Sequence, residues 1–176
     1  MAETKTKVSK TTKSIKTTTK PVTKKTTVKK ADTKKKTEKT ALSAGAKKVY
    51  DVFVGHEHFF ELFCEGYLHR HRDKYGNPEI NPKKTRDGGW DIRCFKEDDY
   101  ETTIYYISCK NMEKIGPDPI RLIKGETPSN SDDSDTLYVP MIMTSGILTD
   151  DAKKTAKSLG VKVIDGNMLA KEKRIG

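Results

Sequence analysis

"DGGWDIRCFKEDDYETTIYYISCKN", residues 87–111, organises the reading of the whole chain. Its first part, "GGWDIRCF", alternates in the manner of a strand, with Trp90, Ile92 and Cys94 on one face and Asp91, Arg93 and Phe95 on the other. "KEDDYE" is a polar turn. "TTIYYISCK" is a second strand, with Tyr105, Ile107 and Cys109 on one side and Ile104, Tyr106, Ser108 and Lys110 on the other. With the apolar faces paired, Asp91 joins Ser108 and Lys110 at one end of a sheet. A carboxylate and an ammonium so placed either pin two strand ends as an ion pair or handle a metal ion beside an anion.

Upstream, Phe60, Phe63, Cys64 and Tyr67 recur at helical spacing within residues 44–78, with Gly55 splitting the region into two helical pieces and "YGNP" ending it. One short strand is expected near "EINPKK", residues 79–84. Downstream, "GPDPIRLIKGE" reads as a short helix entered through Pro117 and Pro119, and "TPSNSDDSD" as a polar loop. "TLYVPMIMTS" is a buried strand whose Pro140 marks a bulge or an edge. "LTDDAKKTAKSLG" is a helix capped by Thr149, with Asp150 and Asp151 at its positive end and Gly160 as its stop. "VKVI" is a further strand, and a terminal helix starts in "DGNMLAKEKR". This order predicts a mixed α/β sheet with helices on both faces.

Cys64, Cys94 and Cys109 lack C-x-x-C spacing and sit inside regular elements, so they read as reduced core residues rather than a zinc site. His56, His58, His69 and His71 do not repeat on one helix face, and "HEHFF" is not H-E-x-x-H. They read as solvated or phosphate-facing. "TSG", residues 144–146, lies between a strand and a helix start, where backbone amides can hold a phosphate. Gly88 and Gly89 read as a tight turn, or as backbone that lets a phosphate approach.

The chain has 176 residues and a formal net charge of +10. Residues 1–40 hold fourteen lysines against Glu3, Asp32 and Glu38, a net of +11 that leaves the remainder at −1. We divide the chain into a Lys/Thr-rich tail, residues 1–42, and one domain, residues 43–176. The tail has no aromatic residue and no apolar period, so it cannot bury enough surface to offset its ordering entropy and reads as disordered. It is either a solvated linker or a flexible polycation that binds DNA by counterion release, with Lys24, Lys25, Lys29, Lys30, Lys34, Lys35 and Lys36 in its densest part. No transmembrane stretch, secretory h-region or arginine-rich transit pattern appears, which predicts an intracellular protein of nucleus or cytoplasm, not secreted and with no membrane partner.

From about Glu57 to Lys171 the chain resembles the Mrr-like restriction endonuclease domain of the PD-(D/E)xK nuclease superfamily. "FFELFCEGYL" is similar to that domain's first helix, with Glu61 at the place of the helix glutamate. "DGGWDI" is similar to its D-G-G-x-D stretch, whose last aspartate, here Asp91, binds the catalytic metal. "ISCKN" is similar to its Q-C-K strand, making Lys110 the active-site lysine. "PMIMTSGILTDDAKKTAKSLGVKVIDGNMLA" resembles its closing strand, helix and strand end. The resemblance implies a restriction-endonuclease-like fold and Mg²⁺-dependent endonucleolytic cleavage of DNA. Asp91, Glu61 and the Cys109 carbonyl would hold the ion and Lys110 would act at the attacking water.

One departure stands out. Ser108 occupies the position where this family usually has Gln or Glu, and a hydroxyl is a poorer ligand for a hard cation than a carboxylate. A similar Ser-x-Lys occurs in some type II enzymes of the superfamily, with the missing acid supplied by a nearby helix. Glu61, Glu113 or Glu126 could supply it here, and Glu61 is preferred because the resemblance already places it at the site. Two alternatives follow. One is a DNA-binding or packaging protein that keeps the fold with weakened or lost catalysis. The other is a junction resolvase or repair nuclease on the same fold. Double-strand cutters often work as dimers, so a homodimer is compatible with the sequence, although no heptad or apolar stripe indicates its surface.

Overall fold

The computed structural model of the protein describes residues 41–82, 89–130 and 135–172. The expected tail, apart from its last two residues, lies outside them, and so do all its lysines.

Helices come first, as the periodicity predicts. Helix α1 (Ala44–Phe53) starts at Ser43, whose Oγ accepts a bond from the Ala46 amide at 3.1 Å and so satisfies one of the orphan donors of a helix start. The chain turns at Gly55 into α2 (Glu57–Arg70), which buries Phe60, Cys64, Tyr67 and Leu68 along one stripe. A single turn, α3 (Arg72–Tyr75), leads to β1 (Asn77–Ile80), two residues ahead of the strand expected near Glu79.

Strands β2 (Ile92–Glu97) and β3 (Thr102–Lys110) form the expected hairpin, in register from Ile92 opposite Ile107 to Glu97 opposite Thr102. Then follow β4 (Lys114–Ile115), α4 (Pro117–Glu126), β5 (Thr136–Thr144), β6 (Ile147–Leu148), α5 (Asp150–Leu159), β7 (Lys162–Ile164) and α6 (Gly166–Leu169). The main sheet runs β1-β2-β3-β5-β7, antiparallel through β3 and parallel beyond it. A second, two-stranded parallel sheet joins β4 to β6. Its two-residue strands carry too little pattern to be read from sequence.

The β3–β5 register is unbroken from Thr102 opposite Thr136 to Lys110 opposite Thr144, so Pro140 is not at a bulge. It falls one residue before β7 begins to pair, where β5 has a neighbour on one side only. Its missing N–H can face the open side, which makes the edge reading the right one. In α5, Thr149 Oγ1 accepts from the Ala152 amide at 3.2 Å and Gly160 closes the helix in a left-handed conformation, both as expected.

The sheet separates two cores. On one face α1, α2 and α6 cover Ile92, Cys94, Tyr105, Ile107, Cys109, Met141 and Met143. On the other, α4 and α5 contribute Ile120, Ile123, Ala152 and Ala156 around Ile142, with Trp90 and Tyr106 at the border. All three cysteines are free and buried. Trp90 departs from the expected alternation. It lies with Tyr106 and Arg93, at 6.2 Å ring to ring and 4.3 Å from the guanidinium carbon, and not with Ile92 and Cys94. Gly89, at φ 51°, redirects the chain just before the strand, so the period of two begins only at Ile92. Val52, Val54, Phe59 and Leu62, around the α1–α2 turn, are exposed apolar residues that the pattern did not signal. No helix among the described residues is long and apolar enough to cross a membrane.

The end of the described chain is tied to α2 by Glu172, which accepts from Arg70 Nε at 3.2 Å and meets His71 Nε2 at 2.8 Å. The His71 bond, aided by Arg70, holds this carboxyl below its ordinary range against the opposing effect of burial. A depressed folded value means stability that is present above the unfolded value of about 4.3 and lost as pH falls through the folded one. Glu172→Gln is therefore expected to cost roughly 0.5–1 kcal/mol at pH 7, with the gap to the parent closing below about pH 4. Urea melts at both pH values check this. An equal gap at pH 7 and pH 3 would exclude the ion pair as its source.

Candidate active site

Asp91 sits in the bend just ahead of β2, held through its backbone. Its amide donates to the Ile107 carbonyl at 2.8 Å, and its carbonyl accepts from the Asn81 amide at 2.9 Å. The side chain is thereby directed at the last three residues of β3. Its Oδ2 accepts from the Cys109 amide at 2.6 Å and from Ser108 Oγ at 3.2 Å, and Lys110 Nζ stands 3.9 Å away. The structure thus brings Asp91, Ser108 and Lys110 together, as strand geometry predicts. Ser108 is buried, whereas the Asp91 and Lys110 side chains keep 25% and 34% of their exposure, enough for solvent and a ligand to reach them.

The strand end is braced from behind. Ser145 Oγ donates to Asn111 Oδ1 at 2.6 Å, Asn111 Nδ2 donates to the Phe53 carbonyl, and the Met112 amide reaches back to the Lys110 carbonyl at 3.0 Å. Gly146 lies flat against the Met112 and Glu113 carbonyls, where a Cβ would overlap both. The phosphate reading of residues 144–146 is overturned here. The Ser145, Gly146 and Ile147 amides donate to the Lys110 carbonyl, Thr144 Oγ1 and the Glu113 carbonyl, and Thr144 and Ser145 are fully buried. Their donors are spent inside the protein, and they buttress the site instead.

The three glutamates named from sequence occupy different surroundings. Glu61 projects from α2, whose buried stripe covers the opposite face of the sheet from Tyr106, and its Oε2 meets His58 Nδ1 at 3.2 Å. It is close enough to Cys109 to contribute to the raising of that thiol's pKa, though less than the Cys64 contact, burial or Asp91. Glu113 is exposed, ahead of β4. Glu126 is the last residue of α4, and its carboxylate rests on Gly89, where a Cβ would fall on top of it. Its Oε2 is buried with no hydrogen-bond partner among the described residues. Burial raises the Glu126 carboxyl above its ordinary value, Lys110 opposes that rise and the Asp91 charge adds to it. Gly89 therefore does permit close approach, but of a carboxylate.

The histidines are dispersed among glutamates, His58 beside Glu61, His69 3.9 Å from Glu65 and His71 beside Glu172. A shallow depression of about 290 Å³, lined by Leu148, Lys153, Ala156, Lys157, Val161, Val163 and Asp165, shares no residue with the Asp91 site.

The comparisons with known proteins come from two directions. The Mrr_cat family model, described as restriction endonuclease, matches residues 55–172. Among solved structures, the MspJI restriction endonuclease in complex with a 27-mer oligonucleotide is similar with a TM-score of 0.51 and 18% identity, over 76% of this chain and 31% of that one. A protein of unknown function, AF1548, is similar with a TM-score of 0.40 and 20% identity, over 60% of this chain and 58% of that one. The chain thus spans about a third of the MspJI chain's length, and the likeness concerns the fold. No curated protein matches the sequence. The family match covers well over half of the chain, including α2, the Asp91 bend, the Lys110 strand end and α6, and the chain belongs to the Mrr_cat restriction endonuclease family.

Proposed function

We propose that this protein is a DNA endonuclease that uses Mg²⁺ at Asp91 to hydrolyse phosphodiester bonds. The observation that carries the reading is the convergence of Asp91, Ser108 and Lys110 at the ends of β2 and β3, inside the family match. The family is of PD-(D/E)xK type and generally depends on a divalent metal. The residues suit such an ion. Asp91 and a nearby acid offer hard oxygen donors, and Glu126, whose carboxylate occupies the space that Gly89 leaves, has a buried oxygen with no partner among the described residues.

A divalent ion bound at this corner would neutralise charge developing on the phosphate and lower the pKa of the attacking water. The chain's own groups divide the remaining work. Cys109 N–H and the Ser108 hydroxyl hold one Asp91 oxygen, which leaves Oδ1 to face the site. The Cys109 carbonyl is a further donor at the strand end, and Glu61 or another acid completes the set. Lys110, fixed by its strand and by the Ser145 and Met112 amides on its carbonyl, keeps an ammonium near the phosphate to orient water or stabilise the transition state. Plasmid nicking with Mg²⁺, comparing the parent with Asp91 and Lys110 variants, tests the assignment. A parent protein that binds DNA and never nicks it supports the packaging reading, which Ser108 leaves open.

The near-neutral domain would draw most of its DNA affinity from the lysine-rich residues 1–40, including the run from Lys24 to Lys36. Deleting residues 1–40 is expected to flatten the dependence of binding on salt by several units of log–log slope while leaving Asp91-dependent nicking measurable. Titrations of a labelled duplex between 50 and 200 mM salt, roughly the range over which such contacts weaken, give the slopes. Identical slopes for the two proteins would end this division of labour.

A further inference from the structure

We propose that Glu126, at the end of α4, supplies the second carboxylate of the metal site and takes the role that Ser108 has given up. The inference rests on the nuclease reading above and specifies its ligand set.

Three observations converge on Glu126. The first is the face of the sheet. Tyr106, Ser108 and Lys110 alternate onto one side of β3, and Tyr106 borders the core built by α4 and α5. Glu126 belongs to α4, whereas Glu61 belongs to the helix covering Cys109 and Ile107 on the opposite side. The second is the room made for it. Gly89, two residues before Asp91, carries no side chain where any Cβ would displace the Glu126 carboxylate. The third is the missing partner. Glu126 Oε2 is buried without a donor among the described residues, and its carboxyl lies within electrostatic reach of Asp91 and Lys110.

A buried carboxylate oxygen without a hydrogen bond is costly to keep, and folded proteins seldom keep one without use for it. Asp91 and Glu126 would together offer a hard divalent cation the oxygen ligands it prefers, and holding one would remove that cost. The placement is also firm. Thr127 caps α4 through both its amide and its hydroxyl, which donate to the Ile123 carbonyl at 3.1 and 2.7 Å, so the last helical residue is held toward Gly89. Ser108, for its part, donates to Asp91. It thus orients the first ligand where an acid would have been a second one.

The test uses the full chain and reads metal binding directly, by electron paramagnetic resonance of free Mn²⁺, alongside thermal melts with and without Mg²⁺. Glu126→Gln keeps the shape of the side chain and removes its charge. It is expected to weaken Mn²⁺ binding at least tenfold and to abolish the rise in melting temperature that Mg²⁺ gives the parent. Without metal it should melt no lower than the parent, because the charge on an oxygen that is buried without a partner among the described residues has been removed. A purely structural Glu126 would instead lower the metal-free melt and leave Mn²⁺ affinity unchanged, and that result overturns the proposal. So does a loss of affinity on Glu61→Gln that Glu126→Gln does not share. Asp91→Asn separates the two levels of the argument. If it weakens Mn²⁺ binding and Glu126→Gln does not, only the second ligand is wrong. If neither variant nor the parent shows a site that depends on these residues, the metal site itself is wrong.

Discussion

Asp91→Asn is expected to lower Mg²⁺-dependent plasmid nicking by about 10³-fold or more while the protein still folds. The choice of asparagine matters. Asp91 Oδ2 accepts from the buried Cys109 amide and from Ser108, and alanine would strand both donors, at about 1–3 kcal/mol for a buried group. The asparagine carbonyl can keep those bonds and removes only the charge. If the Asp91–Lys110 contact at 3.9 Å were merely an ion pair between partly exposed groups, its loss would cost about 0–1 kcal/mol of stability and nothing else. Nicking and melting therefore answer different questions. Lys110→Ala should fall by about 10²–10³-fold in the same assay, and Lys110→Arg should not restore it, since a planar fork does not replace a compact ammonium. Nicking by Asp91→Asn at the parent's rate would dismiss the site.

Ile107→Ala carries the largest effect expected on stability, a loss of about 3–4 kcal/mol within the usual 2–5 for such truncations. Ile107 is fully buried in the central strand, opposite Ile92 on one side and Met141 on the other, and these neighbours are themselves fully buried. A rigid sheet cannot collapse into the cavity, which puts the cost in the upper part of the range. The backbone carbonyl that accepts from the Asp91 amide at 2.8 Å is kept by alanine, so nicking at temperatures where the variant is still folded should fall only as far as the strand shifts. Urea denaturation measures the first effect. A loss under about 1 kcal/mol would mean that the sheet adapts far more than its packing implies.

Much of the architecture was readable along the chain. The stripe of Phe60, Cys64 and Tyr67, the alternation from Ile92 to Lys110, and the Thr149 and Gly160 caps each reflect an interaction whose partners lie within one element or one hairpin. The same holds for half of the site. Asp91 and Lys110 meet because the antiparallel register sets Asp91 just beyond the Ile92–Ile107 pair, beside the strand end that carries Lys110. Trp90 was misplaced because the alternation was extended through Gly89, whose positive φ resets the direction of the chain. Residues 144–146 were misread because the Ser145 amide is consumed by the Lys110 carbonyl, more than thirty residues away in sequence, and the Gly146 amide by the buried Thr144 hydroxyl.

The sequence by itself determined the hairpin and the carboxylate and lysine at its end, since local periodicity and short-range pairing specify those directly, and its motifs carried the resemblance to the family. Only the tertiary structure bears on the choice among the glutamates, by setting the Glu126 carboxylate against Gly89. That choice depends on which face of the sheet α4 and α2 cover, and on Gly89 leaving a space that the Glu126 carboxylate fills. Packing between distant segments sets both, and no period or spacing along a single chain encodes it.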